Sequence, residues 1–368
     1  MRIPFLDLKR EQLEIEPEAT EALTRVLRDG VFILGPEVEA FEKEWARFCD
    51  VKAAAAVGSG TSALTLALIA SGCIRKGQAD EVITSPLTAG YTALAIMNAG
   101  GVPVFADIDP HTYTLDSISV EVAISERTRA ILPVHLYGQL SDMAELYDVA
   151  DRHRLTIIED AAQAHGTRLD DYAEGSLSQA AAFSFYPTKN LGACGDGGAV
   201  VSNDEALIER IKILRQGGHE TALGGNVEGC NSRLDTLQAA LLRVKLRQLD
   251  RWNRRRHELA NLYATQLRGA TSLTLPTAKN HRSHVYHLYV VQHPRRDGLR
   301  AHLAKQGIET MIHYPVLLHQ QPLFRSAGQR RLRVAEEVGP RLLSLPLYPQ
   351  MTTNEVVAVA RAVLEYCY

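Results

Sequence analysis

Three short segments of this chain carry residue types that do chemistry only when brought together. The first is Gly58-Ser59-Gly60-Thr61-Ser62, between the apolar run AAAAV and a helical stretch. Its two glycines permit close backbone approach, and Ser59 or Thr61 can cap the helix. The free N–H groups of such a first turn form an anion site suited to phosphate. Taken alone, the segment also reads as an ordinary strand-to-helix turn. It is neither a Walker A motif nor G-x-G-x-x-G, so nucleoside-triphosphatase and Rossmann dehydrogenase readings lose their main support. The second segment is Glu159-Asp160, closing LTIIED, with Gln163 and His165 in the turn beyond. By themselves these two acids could simply cap the next helix. The third is AFSFYPTKNLGACGDGGAVVS, where Phe183 and Phe185 take one strand face and Ser184 the other. Pro187 ends that strand and Lys189 falls in the turn. Turn lysines are normally solvated, but six of the ten residues after Lys189 are glycine or alanine, as needed where backbone passes a flat or bulky group.

A phosphate cup, a carboxylate and an amine at the strand ends of one sheet are the parts that hold pyridoxal 5′-phosphate. The lysine amine can form a Schiff base with its aldehyde. The carboxylate keeps the pyridine nitrogen protonated, so that the ring withdraws electrons. The order and spacing of the three parts carry this reading, and no one of them does so alone.

The apolar runs show which strands and helices place these groups. AAAAVGSGTS (53–62), EVITSP (81–86), VPVFADID (102–109), AILPVHLYG (130–138) and LTIIEDAAQAHG (155–166) each open on a short apolar run and are separated by stretches long enough for helices. Continuous apolar strands alternating with helices predict an α/β fold with a mostly parallel central sheet covered on both faces. The pattern changes after about residue 200. Residues 204–216 and 235–265 read as helices, VYHLYVVQ from 285 as a strand, and 353–366 as a closing helix. The expected organisation is a large domain over 1–248 and a smaller C-terminal α+β domain over 249–368.

Composition narrows the class. Of 368 residues, 46% are hydrophobic and 23% charged, the balance of a folded soluble chain. The net charge of −3 gives no basic excess to recommend a nucleic-acid partner. Five scattered cysteines, with no C-x-x-C pair, argue against a disulfide scaffold or structural zinc. No apolar run has the roughly 18 residues needed to cross a bilayer, and MRIPFLDLKREQ has no signal-like core. The expectation is a cytoplasmic enzyme without a metal, a membrane or a nucleic acid as partner.

The chain resembles the sugar aminotransferases of the DegT/DnrJ/StrS type, which have fold type I of the aspartate aminotransferase superfamily. The resemblance runs in order through PFLDLKRE, ILGPEVEAFEKEWARFCDVK, GSGTSALTLAL, GGVPVFADIDP, PVHLYGQ, IIEDAAQAHG, FSFYPTKNLGACGDGG, NSRLDTLQAAL, GIETMIHYPVLLHQQPLF and SLPLYPQ. It implies that Lys189 is the Schiff-base lysine and proton shuttle, and that Asp160 pairs with the pyridine nitrogen. It further implies that Gln163 lies by the phenolic oxygen and that Gly60, Thr61 and Ser184 bind the phosphate. Asn231 would reach the phosphate of a neighbouring subunit, so that a homodimer shares its active sites. Tyr314 and His319 match a segment near the sugar nucleotide, although both could equally pack within the small domain.

The implied reaction has two halves. L-Glutamate leaves its nitrogen on the cofactor as pyridoxamine phosphate and departs as 2-oxoglutarate; a nucleotide-linked keto-sugar then takes it, in deoxyamino-sugar synthesis. The wording around His313 leans toward a 3-keto-6-deoxyhexose. The alternatives are a cyclitol-ketone aminotransferase and a non-catalytic cofactor-binding regulator of the same fold. Relatives that dehydrate their substrate replace the lysine, which is present here. There is one departure: Ala89 stands where family members often stack an aromatic ring on the cofactor, with Tyr91 two residues on. Of the remaining features, His281, His284 and His287 have a spacing that alternates strand faces, against a metal site. Arg251, Arg254, Arg255 and Arg256 read as a solvated helix face, with nucleic-acid and nucleotide-diphosphate contacts as the other options.

Overall fold

The computed structural model describes residues 2–169, 172–173, 175–176, 178–218, 228–278, 283–324 and 331–367. The chain opens with α1 (Leu8–Asp29), capped by Asp7, whose side chain accepts from Lys9 N and Arg10 N, and stopped at Gly30 in the left-handed conformation. Helix α2 (Pro36–Phe48) comes next, then β1 (Ala53–Val57), α3 (Gly60–Ser71), β2 (Glu81–Thr84), α4 (Gly90–Asn98), β3 (Val102–Phe105), α5 (Ser117–Ala123) and β4 (Thr128–Leu132). The chain continues through α6 (Met143–His153), β5 (Thr156–Asp160), the short hairpin β6 (Arg168–Leu169) and β7 (Tyr172–Ala173), β8 (Ala180–Ser184), β9 (Gly198–Ser202) and α7 (Glu205–Leu214). Helix α8 (Thr236–Gln266) leads into β10 (Tyr289–Gln292), α9 (Arg296–Lys305), α10 (Arg333–Val338), β11 (Leu342–Leu345) and α11 (Thr353–Cys367).

Seven strands form one sheet in the order β1-β9-β8-β5-β4-β2-β3. Pairings β2–β3, β2–β4, β4–β5 and β5–β8 are parallel, whereas β9 runs antiparallel to both β8 and β1. Six strands therefore share one direction, and the carboxyl ends of β1, β2, β5 and β8 lie along one edge. In open α/β sheets that edge is where ligands sit.

Alternation along the strands builds the two cores. Ala55, Val57, Ala182 and Val200 join the cluster under α3, α4 and α7, whereas Ala54, Ala56, Ala181, Phe183, Ala199 and Val201 join the one under α2 and α8. Phe183 and Phe185 both enter the second cluster. Their rings meet Trp45 edge-on, with centroids 4.9 and 5.4 Å away, contacts worth about 1 kcal/mol each beyond buried area. This aromatic knot fixes the end of β8, immediately before Lys189.

Helix α8 passes from one core to another without a break: Leu249 packs with the large sheet layer and Trp252 against α1, while Leu259, Ala260 and Tyr263 belong to a C-terminal cluster with β10, β11 and α11. The N terminus joins that cluster through Ile3, which bridges to Ile308. The strand expected from 285 begins at 289. The reason is tertiary: Val285 N donates to Gly138 O at 2.8 Å and Leu288 N to Tyr137 O at 3.2 Å, so 285–288 is bonded to the large sheet layer. Among the described residues no helix is long and apolar enough to cross a membrane.

Candidate active site

At the end of β1, Ser59 is extended (φ −165°, ψ 163°) and its hydroxyl accepts from Ser62 N at 3.1 Å. The first bond of α3 runs from Ala63 N to Ser59 O at 3.0 Å. The N–H groups of Gly60 and Thr61 are left at the positive end of the helix dipole, an arrangement that seats an anion. Ser184, the last residue of β8, closes this seat. A Cβ on Gly60 would stand 2.6 Å from Ser184 Cβ, so the approach of the two segments requires glycine. The Ser184 Oγ accepts from Tyr186 N at 3.3 Å, which leaves its own proton available for an anion.

Asp160 ends the neighbouring strand, β5, and is 5% exposed. Its Oδ2 accepts from Thr92 Oγ1 at 2.7 Å, and its Oδ1 from Ala162 N at 3.1 Å. Because Thr92 gives its proton to Asp160, the 3.1 Å contact between Thr88 and Thr92 hydroxyls has Thr88 as donor. Burial raises the carboxyl above its ordinary range, and the Thr92 bond, the Ala162 N–H and nearby Lys189 pull it back. Each oxygen keeps a lone pair for a further cationic N–H.

Lys189 sits in a turn closed by its own N–H to Tyr186 O at 2.9 Å. It is half-buried, and loss of water brings its ammonium down to about 8, against the pull of Asp160 in the opposite sense. An amine near that value exchanges protons readily at neutral pH. The imidazoles close enough to sense its charge are His165, brought to about 3, His313, brought to about 4, and His287, pushed well below the ordinary range, in each case chiefly by burial. All three are neutral. The His165 Nε2 donates to Ser184 O at 2.9 Å, which fixes its tautomer and ties the β5 turn to the β8 end.

Gln163 has both ends of its amide engaged. Its Oε1 accepts from Tyr137 N at 2.7 Å, so Nε2 faces the site and donates to Tyr314 OH at 2.9 Å. Burial pushes the Tyr314 hydroxyl up to about 12, so it stays protonated. Tyr137 OH in turn donates to His313 O. Farther along, Leu318 N donates to Pro86 O at 2.8 Å, laying the 313–318 segment across the strand ends.

Gly60, Thr61, Asp160, Gln163, Ser184, Lys189 and Tyr314 thus converge on one edge of the sheet. His319 does not join them: its Nε2 lies 3.3 Å from Glu336 Oε1, and its ring packs toward α10. Asn231 is exposed, next to Ser232, whose hydroxyl accepts from Gly58 N at 3.0 Å. Ala89 caps α4, and Tyr91 is 65% exposed on its first turn. His281 lies outside the described residues. His284 and His287 are buried and bonded within the chain, to Tyr286 N at 3.0 Å and to Asn190 Oδ1 at 3.2 Å.

Sequence reasoning missed Thr92, Tyr137 and His313. Thr88 and Thr92 are four residues apart after a strand, a one-face spacing that could have singled out Thr92. Arg256 departs from the expected solvated run. It is 3% exposed, and its NH1 donates to the carbonyls of Tyr286, His287 and Leu347 at 3.2, 3.5 and 3.0 Å. Nothing in the local sequence distinguishes it from Arg255.

The model of the DegT/DnrJ/EryC1/StrS aminotransferase family matches residues 13–364. The chain is 46% identical over 367 residues to the erythromycin biosynthesis sensory transduction protein EryC1 of Saccharopolyspora erythraea, covering 98% of this chain and 100% of that protein. It is 45% identical over 369 residues to the dTDP-3-amino-3,4,6-trideoxy-alpha-D-glucose transaminase of Streptomyces venezuelae, covering 99% and 96%. Among solved structures, S. venezuelae DesV in complex with a ketimine intermediate superposes with a TM-score of 0.95 at 45% identity, covering 100% of this chain and 98% of that one. The Bacillus subtilis protein NtdA with bound cofactor PMP superposes with a TM-score of 0.90 at 33% identity, covering 99% and 85%.

Proposed function

This chain belongs to the DegT/DnrJ/EryC1/StrS aminotransferase family, and from that premise we propose that it moves an amino group from L-glutamate to a nucleotide-linked 3-keto-6-deoxyhexose, using pyridoxal phosphate, as a cytoplasmic homodimer. The observation that carries the reading is the pairing of Lys189, with an amine near 8, and buried Asp160 at adjacent strand ends. The relatives named for dTDP-3-amino sugars support the substrate class, and the PMP-bound neighbour supports the cofactor.

The residues present fit that cofactor on their own chemistry. The open first turn of α3, with Gly60 pressed against Ser184, accommodates a phosphate and has no room for a larger side chain. Asp160 is an acceptor suited to a cationic ring N–H, and Gln163 is oriented to donate through Nε2 to a ring oxygen. When bound, the group supplies an electron sink for the pair left behind as a proton departs from the substrate carbon.

The remaining work falls to the chain. Lys189 holds and moves the proton at the carbon that bears nitrogen, and about a tenth of its amine is free base at pH 7. Asp160 keeps a negative charge against the ring nitrogen because Thr92 and Ala162 N stabilise its ionised form. The 313–318 segment, with Tyr314 bonded to Gln163 and Leu318 to Pro86, lies across the strand ends and would screen the bound group from water. Dimer formation is supported by exposed Asn231 and by exposed Val31, Phe32 and Ile33 nearby, Phe32 O accepting from Thr236 N at 3.0 Å. In the proposed dimer each Asn231 serves the phosphate of the other copy.

The test is the absorbance spectrum of the protein with pyridoxal phosphate, before and after L-glutamate, and then with dTDP- and UDP-linked 3-keto-sugars. A visible band that glutamate removes and a keto-sugar restores is the expected result. A band that no amino donor disturbs favours the regulator, and no band overturns the cofactor assignment.

A further inference from the structure

Helix α8 lies outside the site described above, yet it carries buried polar residues on the stripe that faces the Lys189 loop. Lys245 and Asn253 are buried and Gln238 is half-buried; the three are spaced by seven and eight positions, close to two helical turns each, and so share one face. Gln238 Oε1 accepts from Cys194 N at 2.8 Å. Lys245, 0% exposed, donates to Gly192 O at 2.8 Å and to Glu11 Oε1 of α1 at 2.8 Å. Asn253 donates from Nδ2 to His165 O at 2.8 Å and accepts at Oδ1 from Asn190 Nδ2 at 2.9 Å.

Asn190 is the residue after Lys189. Its Nδ2 also reaches Val285 O at 3.2 Å, and its Oδ1 accepts from His287 Nδ1 at 3.2 Å. A carbonyl can only accept, so His165 O dictates which end of the Asn253 amide faces it. That choice sets the Asn190 amide, and Asn190 sets the His287 tautomer. The result is a buried chain of bonds with one self-consistent arrangement of hydrogens, which resists displacement as a unit. The fit on the β5 side is close: Gly166, at φ +88°, would place a Cβ 3.1 Å from Asn253 Nδ2.

Of these residues Asn253 alone touches both strand-end segments. We propose that Asn253 is a positioning residue of the reaction, holding the Lys189 turn and the Asp160–Gln163–His165 turn at a fixed separation through its paired bonds to Asn190 and His165. Lys245 and Gln238 brace the same loop from below. The proposal rests on Lys189 being the reactive amine. Neither Asn253 nor Asn190 is needed to make the bonds that change; their effect passes through where the amine stands.

The acidity of Lys189 reports that placement. The titratable groups that face it come from separate segments: Asp160 from β5, His165 from the turn after it, His287 from the segment before β10, and His313 from the segment before Tyr314. Burial lowers the amine and Asp160 opposes. Loosening the loop admits water, and the amine moves back toward an ordinary lysine.

The experiment measures the pH dependence of acetic anhydride labelling at Lys189, by peptide mass spectrometry, on the full chain freed of cofactor. The variants are Asn253→Leu, close in shape to asparagine, and Leu259→Ala, which removes buried contacts from the same helix on the C-terminal core. For Asn253→Leu the labelling midpoint is expected to rise by about one unit. In the reloaded enzyme kcat should fall about 10- to 100-fold, with the KM for glutamate changed less than about threefold. The Leu259→Ala midpoint should stay with the unmodified protein. An unmoved midpoint in folded Asn253→Leu overturns the proposal whatever happens to kcat, and so does an equal shift in Leu259→Ala. If Asn253→Leu does not fold, Asn253→Ser is judged by the same midpoint. If Lys189→Ala still forms a borohydride-reducible adduct with pyridoxal phosphate, the assignment of Lys189 itself falls, which is a separate failure.

Discussion

Thr92 and Tyr91 are consecutive residues of α4 with opposite surroundings. Thr92 is buried and gives its proton to Asp160 at 2.7 Å, whereas Tyr91 is 65% exposed. The contrast extends across the site. Along its floor, Gly60, Ser184, Asp160, Gln163 and Asn190 are held by backbone geometry and by hydrogen bonds with defined donors. Along its rim, Tyr91, Tyr186, Met311, Val316 and Leu323 stand open. The floor is built to place an anion, a carboxylate and an amine, which one family can use for many substrates. The rim has the freedom to vary, and in the proposed dimer a second copy of the chain, or a substrate, would complete it. Binding groups on a rigid scaffold and choosing groups on exposed segments is the usual division.

The largest expected effect comes from the floor. Lys189→Ala should lower kcat by about a thousandfold or more and abolish the visible band with pyridoxal phosphate. Asp160→Asn removes a buried charge while keeping the shape, and a fall in kcat of about a hundredfold is expected. Because Asp160 raises the Lys189 amine, the same variant should bring the Lys189 labelling midpoint below about 8 in cofactor-free protein. A midpoint that rises would break the link between the two residues. Gly60→Ala puts a methyl group 2.6 Å from Ser184 Cβ, and cofactor affinity should weaken about tenfold, measured by equilibrium titration.

A smaller effect concerns stability. The folded Lys189 amine titrates near 8, below an unfolded value of 10.5. Below pH 8 both states carry the proton and the burial cost is constant. Between 8 and 10.5 the unfolded state binds more protons, so this group makes stability rise with pH. Lys189→Met should remove that rise, as the difference between two melting curves taken at about pH 8 and about pH 10. The smallest effect is expected at the rim: Tyr91→Ala should change the KM for a keto-sugar a few-fold, by about 1 kcal/mol or less, and leave cofactor affinity alone. If it weakens cofactor binding instead, Tyr91 belongs with the floor and takes the stacking role left open by Ala89.

Much of the floor could be read in advance because its residues sit where regular elements end. The runs AAAAV, LTIIED and AFSFY announce strands, and the groups at or just past each strand end are plain in the sequence: Gly60-Thr61, Asp160 with Gln163, and Lys189. The supporting residues give no such sign. Arg256 lies between Arg255 and His257 in a run that looks solvated, yet it is buried against three carbonyls of the C-terminal segment. His319 and Tyr314 share one short motif, but only Tyr314 reaches Gln163. The strand expected from 285 starts at 289, because bonds to Gly138 and Tyr137 claim its first residues.

Local pattern was enough for the α/β class, for the alternation of strands and helices in the first half of the sheet, and for the types of group at the strand ends. Hydrophobic periodicity and glycine placement are properties of neighbours in the chain, and they depend little on what packs above them. Strand order, the convergence of β1, β5 and β8 on one edge, and the acidity of Lys189 belong to the folded molecule. So does the bridge from Asn253 to Asn190 and His165, residues separated by 63 and 88 positions. Burial and long-range hydrogen bonds arise only when distant segments meet, and the same asparagine on an exposed turn of α8 would have no such partners.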